Sequence, residues 1–165
     1  MKLDIRHTFA CTPQRFWEMY WDDALDEMMR ESSKLQRELV EERTEGEIAV
    51  RRLRFIPDKE LPAAAARLVG AKKLIYEQEN RYDAARGVLD WRMLPTVLSG
   101  KLDAAGSLRV EPRGEADCEQ VVTGDIRVNV PFIGGQIERA VLAEVQRGWD
   151  RAAETYRAWL TRFGS

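Results

Sequence analysis

The sequence is short of the residues on which most site chemistry depends. In 165 residues it holds one histidine, His7, and two cysteines, Cys11 and Cys118. Zinc sites draw their ligands from closely spaced Cys and His. One imidazole and two thiols about a hundred positions apart make no such set, so no metal is expected. The cysteines are expected free and partly buried, since a disulfide needs a geometry that sequence does not supply. There is no nucleophile elbow, P-loop or dinucleotide fingerprint: Gly134-Gly135 is followed by no third glycine at the required spacing. No cofactor is therefore expected. No apolar run approaches the ~20 residues of a membrane span, and the opening MKLDIRHTFACTPQ has no apolar h-region. The expected compartment is the cytoplasm, without stable membrane insertion. Positive charge is also in deficit, with 26 Lys and Arg against 28 Asp and Glu for a net −2. Such a surface lacks the field that releases counterions from a nucleic acid, so no nucleic-acid partner is expected. The same sign opposes permanent adhesion to anionic bilayers and leaves room only for brief docking through an apolar loop.

What is present reads as one folded domain over residues 1–165. Apolar residues make up 44% and charged residues 33%, and a chain this long buries roughly 70% of the surface it exposes when unfolded. Leu3, Ile5, His7 and Phe9 alternate with Lys2, Asp4, Arg6 and Thr8, the pattern of a half-buried strand. Thr12-Pro13 fits an N-cap and first helical position, with Phe16, Trp17 and Tyr20 as the apolar side. Asp22 or Asp23 caps a second short helix through Met29.

Residues 35–44 and 47–56 read as a hairpin turning at Glu45-Gly46. LPAAAARLVG, from Leu61 to Gly70, reads as a short helix. Lys73 to Tyr82 and Gly87 to Leu94 form a second strand pair, and Lys101 to Glu111 with Asp117 to Val130 a third. The clearest periodicity runs from Ile133 to Phe163. There Ile137, Val141, Val145, Trp149, Ala152, Tyr156, Trp159, Leu160 and Phe163 recur at helical spacing. A stripe that long needs a matching apolar surface, which strands curving around the helix supply. The fold class expected is α+β, a seven-stranded antiparallel curved sheet wrapped around a long C-terminal helix, with two short helices between strands 1 and 2.

That element order, the run LPAAAARLVG before an alternating strand, and VNVPFIGGQIERAV from Val128 to Val141 resemble the START-like, polyketide-cyclase-like superfamily (SRPBCC, Bet v 1-like). Within it the chain is most similar to a bacterial family without an established activity. The resemblance implies a helix-grip fold and a cavity between sheet and helix that often holds an apolar ligand. It does not choose a function, because members include lipid carriers, hormone binders, aromatases and cyclases, and chaperone-stimulating subunits.

Candidate site residues follow from which strand faces point inward. Tyr76, Gln78, Asn80 and Tyr82 share one face, and Trp91 and Met93 share a face of the next strand. Turned inward, Tyr76, Gln78, Asn80, Trp91 and Met93 form an aromatic wall with a few polar groups, the make-up of a small-molecule pocket; the plainer alternative is a filled core with satisfied amides. Trp149, halfway along the long helix, would face such a cavity. His7 lies on the inward face of strand 1, where a neutral imidazole can bond a ligand or act as a base. The favoured reading of His7 is a core histidine bonded to a neighbour. Arg51, Arg52 and Arg54 read as charge pairs on a solvated face, with Glu38 opposite Arg52 and Glu47 opposite Arg43 across a three-residue turn. The apolar phase slips between Val50 and Leu53, which places a bulge in that strand.

The function expected first is non-catalytic binding or transport of an apolar small molecule, lipid-like, lined by His7, Tyr76, Gln78, Asn80, Trp91, Met93 and Trp149. The alternatives are a cyclase or aromatase using the same cavity, with His7, Asn80 and Tyr76 moving protons, and a ligand-free protein-interaction module.

Overall fold

The computed structural model describes residues 1–32, 36–98 and 100–165. Leu35, assigned above to the start of the second strand, lies outside them. Strand β1 (Lys2–Phe9) leads into α1 (Pro13–Tyr20) and α2 (Asp23–Ser32). The hairpin β2 (Gln36–Glu45) and β3 (Ile48–Ile56) follows, then α3 (Ala63–Val69), β4 (Tyr76–Asp83), β5 (Val88–Pro95), β6 (Leu102–Arg113), β7 (Asp117–Val128) and the 30-residue α4 (Gly134–Phe163). All seven strands form one antiparallel sheet in the order β1-β7-β6-β5-β4-β3-β2. The first strand is thus an edge beside the last, and β2 is the other edge.

Local chemistry explains most boundaries. The Thr12 hydroxyl accepts from the Arg15 amide at 3.2 Å, and Pro13 opens α1. Asp22 accepts from the Ala24 amide at 3.1 Å at the start of α2. Gly134 begins α4 because a side chain there would press within 2.5 Å of the Val128 carbonyl. Glu138 accepts from the Val128 amide at 2.9 Å and lies 3.8 Å from the N-terminal amine. The carboxylate ties α4 to the end of β7.

The core fills the space between the concave sheet and α4. Ile137, Val141, Val145, Ala152, Tyr156, Trp159 and Leu160 of α4 are buried against Leu3, Ile5 and Phe9 of β1, Leu108 of β6, Val122 and Ile126 of β7, and Phe16 and Met19 of α1. Arg15 closes the far end of the long helix. Its guanidinium donates to the carbonyls of Phe163 and Gly164 at 3.0–3.1 Å and lies 4.7 Å over the Trp159 ring.

The β2–β3 hairpin departs from the sequence reading. Gly46, at φ 60°, permits a two-residue turn closed by Glu45 opposite Ile48. Glu38 therefore faces Arg54, Glu41 faces Arg52 and Arg43 faces Val50. The bulge lies in β2, where Val40 is the extra residue, and not in β3. Val50 breaks the apparent phase because it is buried on the outer face, beneath its cross-strand neighbours Arg43 and Arg81. Arg52 and Arg54 pair with Glu77 and Glu79 of β4 on that outer face. Arg51 points the other way. Its guanidinium sits 4.6 Å over the Trp21 ring, 3.2 Å from Glu42 and 3.7 Å from Asp26 of α2.

Candidate functional site

A small cavity lies where the middle of α4 crosses the concave face of β3 and β4. Strands β3 and β4 contribute Leu53, Phe55, Tyr76, Gln78 and Asn80; α4 contributes Val145, Gly148, Trp149, Ala152 and Tyr156. Tyr20 of α1, Met29 of α2 and Arg37 of β2 complete the wall. Alternation in β4 sends Tyr76, Gln78 and Asn80 to one face, and their register against Phe55, Leu53 and Arg51 keeps all of them on the helix side. Phe55 and Tyr76 stack at 5.2 Å. The void is about 70 Å³. Sites for drug-sized ligands are ~300–1,000 Å³, so the side chains as arranged leave space for water-sized molecules.

The polar groups around this void are few and specific. Gln78 donates its amide to the Asn80 carbonyl oxygen at 2.8 Å, and Asn80 is buried. Each amide keeps one end for another partner. Tyr20, Tyr76 and Tyr156 border the same space. Burial raises all three phenol pKa values; the charge of Glu144 adds to the effect at Tyr76, and Tyr20 adds to it at Tyr156. The phenols therefore stay protonated near neutrality and act as hydrogen-bond donors rather than bases.

One side of the cavity is closed by charge. Arg37 bonds Asp26 at 2.7 Å, joining β2 to α2. Beyond that pair lies a second depression of about 240 Å³, lined by Asp23, Asp26, Arg30, Arg37, Leu39, Arg51 and Leu53. Arg37 and Leu53 border both spaces.

Of the residues singled out from sequence, Tyr76, Gln78, Asn80 and Trp149 come together around the void. Trp91 and Met93 are buried deeper in the core and do not line it. Trp91 lies over the cross-strand pair Gly106 and Gly124: a side chain on Gly124 would come within 2.6 Å of its ring, and one on Gly106 would overlap the Thr123 carbonyl. The indole fills the room Gly124 leaves. His7 sits elsewhere, with Nδ1 3.2 Å from the Gln120 amide oxygen and Nε2 2.8 Å from Asp150 of α4.

Sequence reasoning did not assign Tyr20, Tyr156, Arg37 or Arg51 to the site. Tyr156 belonged to the helical stripe and Tyr20 to the face of α1, so both read as core. Mid-strand Gly106 and Gly124 were the available sign that a large ring approaches the sheet there.

A curved antiparallel sheet gripping a C-terminal helix defines the helix-grip class of folds. Solved structures agree over the whole chain. The ZhuI aromatase/cyclase from a Streptomyces species matches with a TM-score of 0.65 at 17% identity, over 100% of this chain and 99% of that one. A START superfamily protein from Mycobacterium smegmatis gives 0.61 at 12% identity, over 96% and 98%. Norcoclaurine synthase from Thalictrum flavum, in complex with dopamine and hydroxybenzaldehyde, gives 0.63 at 13%, over 100% and 90%. Within this class the chain belongs to DUF2505, a family of proteins of unknown function, which matches residues 4–160. No curated protein matches the sequence. No helix among the described residues is long and apolar enough to cross a membrane.

Proposed function

We propose that the chain, as one domain, binds an apolar small molecule in the cavity between the sheet and α4 and carries it without chemical change, in the cytoplasm. The observation that carries this reading is the wall itself: Tyr20, Tyr76, Tyr156 and Trp149 with the Gln78–Asn80 amide pair border one space between sheet and helix. Such a wall suits a largely hydrophobic, lipid-like ligand with one carbonyl or carboxylate end. Because the void is 70 Å³, entry requires side chains to turn aside, and the half-buried Trp149 and the Arg37–Asp26 pair border the route.

Native mass spectrometry of freshly purified protein, followed by solvent extraction, tests the proposal. A stoichiometric apolar adduct that is lost in Asn80→Leu or Tyr76→Phe supports it. A clean apo mass, together with no change in Trp149 fluorescence on titration with fatty acids or aromatic polyketide-like compounds, would overturn it.

A cyclase-type reaction is the second reading. It draws on the likeness in fold to an aromatase/cyclase and to norcoclaurine synthase. It is weaker because the cavity wall among the described residues holds no carboxylate or imidazole, and raised phenol pKa values make poor general bases near neutrality.

A further inference from the structure

One end of the molecule is chemically unlike the rest. Strands β3, β5 and β7 end there and β4 and β6 begin there, so residues 57–75, 96–98, 100–101 and 129–133 emerge side by side. Hydrogen bonds hold these connections together. Leu61 donates to the Lys72 carbonyl at 2.6 Å, the Thr96 hydroxyl to the Ile75 carbonyl at 2.7 Å, and Asn129 to the Lys101 carbonyl at 2.7 Å. The surface they form is both apolar and basic. Helix α3, AAAARLV, has no buried residue, and its Leu68 is 52% exposed. Phe132 stands wholly exposed at φ 67°, a conformation a phenylalanine seldom adopts.

These connections carry Lys59, Arg67, Lys72, Lys73 and Lys101 against Asp58 and Glu60, a net +3 on a chain whose total is −2. Asp58 is already 4.0 Å from Arg151. The chain has six lysines among its 26 basic residues. Lys34 lies outside the described residues, and the fifth of the others, Lys2, opens β1 at this same end. At the opposite end the tight turns carry Glu47, Asp83, Glu115 and Asp117 beside Arg86 and Arg113, and no lysine.

We propose that this pole is a reversible docking surface for an anionic lipid bilayer, with Phe132 and Leu68 entering the interface and the lysines lying over the headgroups. The choice of cation favours a bilayer over a protein partner. Protein interfaces are enriched in Arg and depleted in Lys and Ala, yet a chain that elsewhere prefers Arg concentrates Lys and Ala here. A bilayer rewards separate apolar tips set among hydrated ammonium groups. The negative remainder of the molecule makes the attachment weak and salt-sensitive.

The inference does not depend on the cavity, and the test keeps the two apart by using full-length protein before and after solvent extraction. The measurement is co-sedimentation with vesicles of phosphatidylcholine alone or mixed with equal phosphatidylglycerol. Both protein samples should bind the mixed vesicles at low salt and release at high salt. Lys72→Glu/Lys73→Glu should weaken binding about tenfold or more. Phe132→Gly should weaken it about as much while folding normally, since glycine accepts the positive φ that Phe132 occupies. No binding to mixed vesicles at low salt, equal binding to phosphatidylcholine alone, or full binding by both folded variants would each overturn the proposal.

Discussion

His7 and Gln120 show how a single polar contact in this core is arranged. Gln120 is fully buried, its amide oxygen faces the His7 ring at 3.2 Å, and its amide nitrogen has no partner among the described residues. Removing the imidazole would leave both ends of that amide unpaired. His7→Ala is therefore expected to destabilise the protein by about 1–3 kcal/mol, the cost of a buried polar group losing its partner. The urea midpoint should fall with an unchanged slope, and binding in the α4 cavity should persist because His7 does not line it. An unchanged midpoint would mean that Gln120 finds another partner or water. Single residues were also where the sequence was hardest to read. The run Arg51-Arg52-Leu53-Arg54 looks uniformly solvated, yet Arg51 is held under Trp21 and beside Asp26. Those partners come from a helix and a turn some 25–30 positions earlier, and no local pattern announces them. Trp91 is hard to read for a related reason: alternation faces it inward, but Gly124, two strands away, makes the room that the indole fills in the core.

Elements were far more legible than side chains. Most strands and helices are signalled by alternation, helical spacing or a capping residue, because those signals are local and each belongs to one face of one element. The exception was the β2–β3 register, which depended on whether the turn took two residues or three. Packing between elements is where a sharper prediction belongs. Arg15 of α1 supplies the last carbonyls of α4 with donors and also stacks on Trp159, while the Trp159 indole donates to Asp22 at 3.1 Å, at the α1–α2 junction. Helix ends leave carbonyls without intrahelical partners, so Arg15→Ala should fray the last turn of α4 and cost about 1–2 kcal/mol. Hydrogen exchange would report this as faster exchange confined to residues 158–163. If protection there stays as before, water replaces the guanidinium without loss.

At the scale of the whole molecule, the buried tyrosines set a limit on the alkaline side. Tyr20, Tyr76 and Tyr156 have folded-state pKa values raised above their ordinary value of 10.0, chiefly by burial. The unfolded chain thus gives up those protons at lower pH than the folded one. The stabilisation is complete below about pH 10 and declines as pH rises beyond it. Phenolate absorbance is expected to develop in two steps, the accessible Tyr82 first and the other three together with loss of tertiary structure. A single smooth titration of all four with the fold intact would contradict the buried assignment.

The strand order has a consequence for how the chain comes off the ribosome. β1 precedes the other strands but among the described residues pairs only with β7, more than a hundred residues later, and the helix that fills the concave face follows all seven strands. For most of translation the alternating apolar face of β1 and the aromatic face of α1 have nothing to pack against, and the middle strands form a sheet without its filling. Contacts so distant in sequence close slowly. Nascent chains stalled before residue 117 should therefore remain protease-sensitive and need a holding chaperone, and resistance should appear only once α4 has left the exit tunnel.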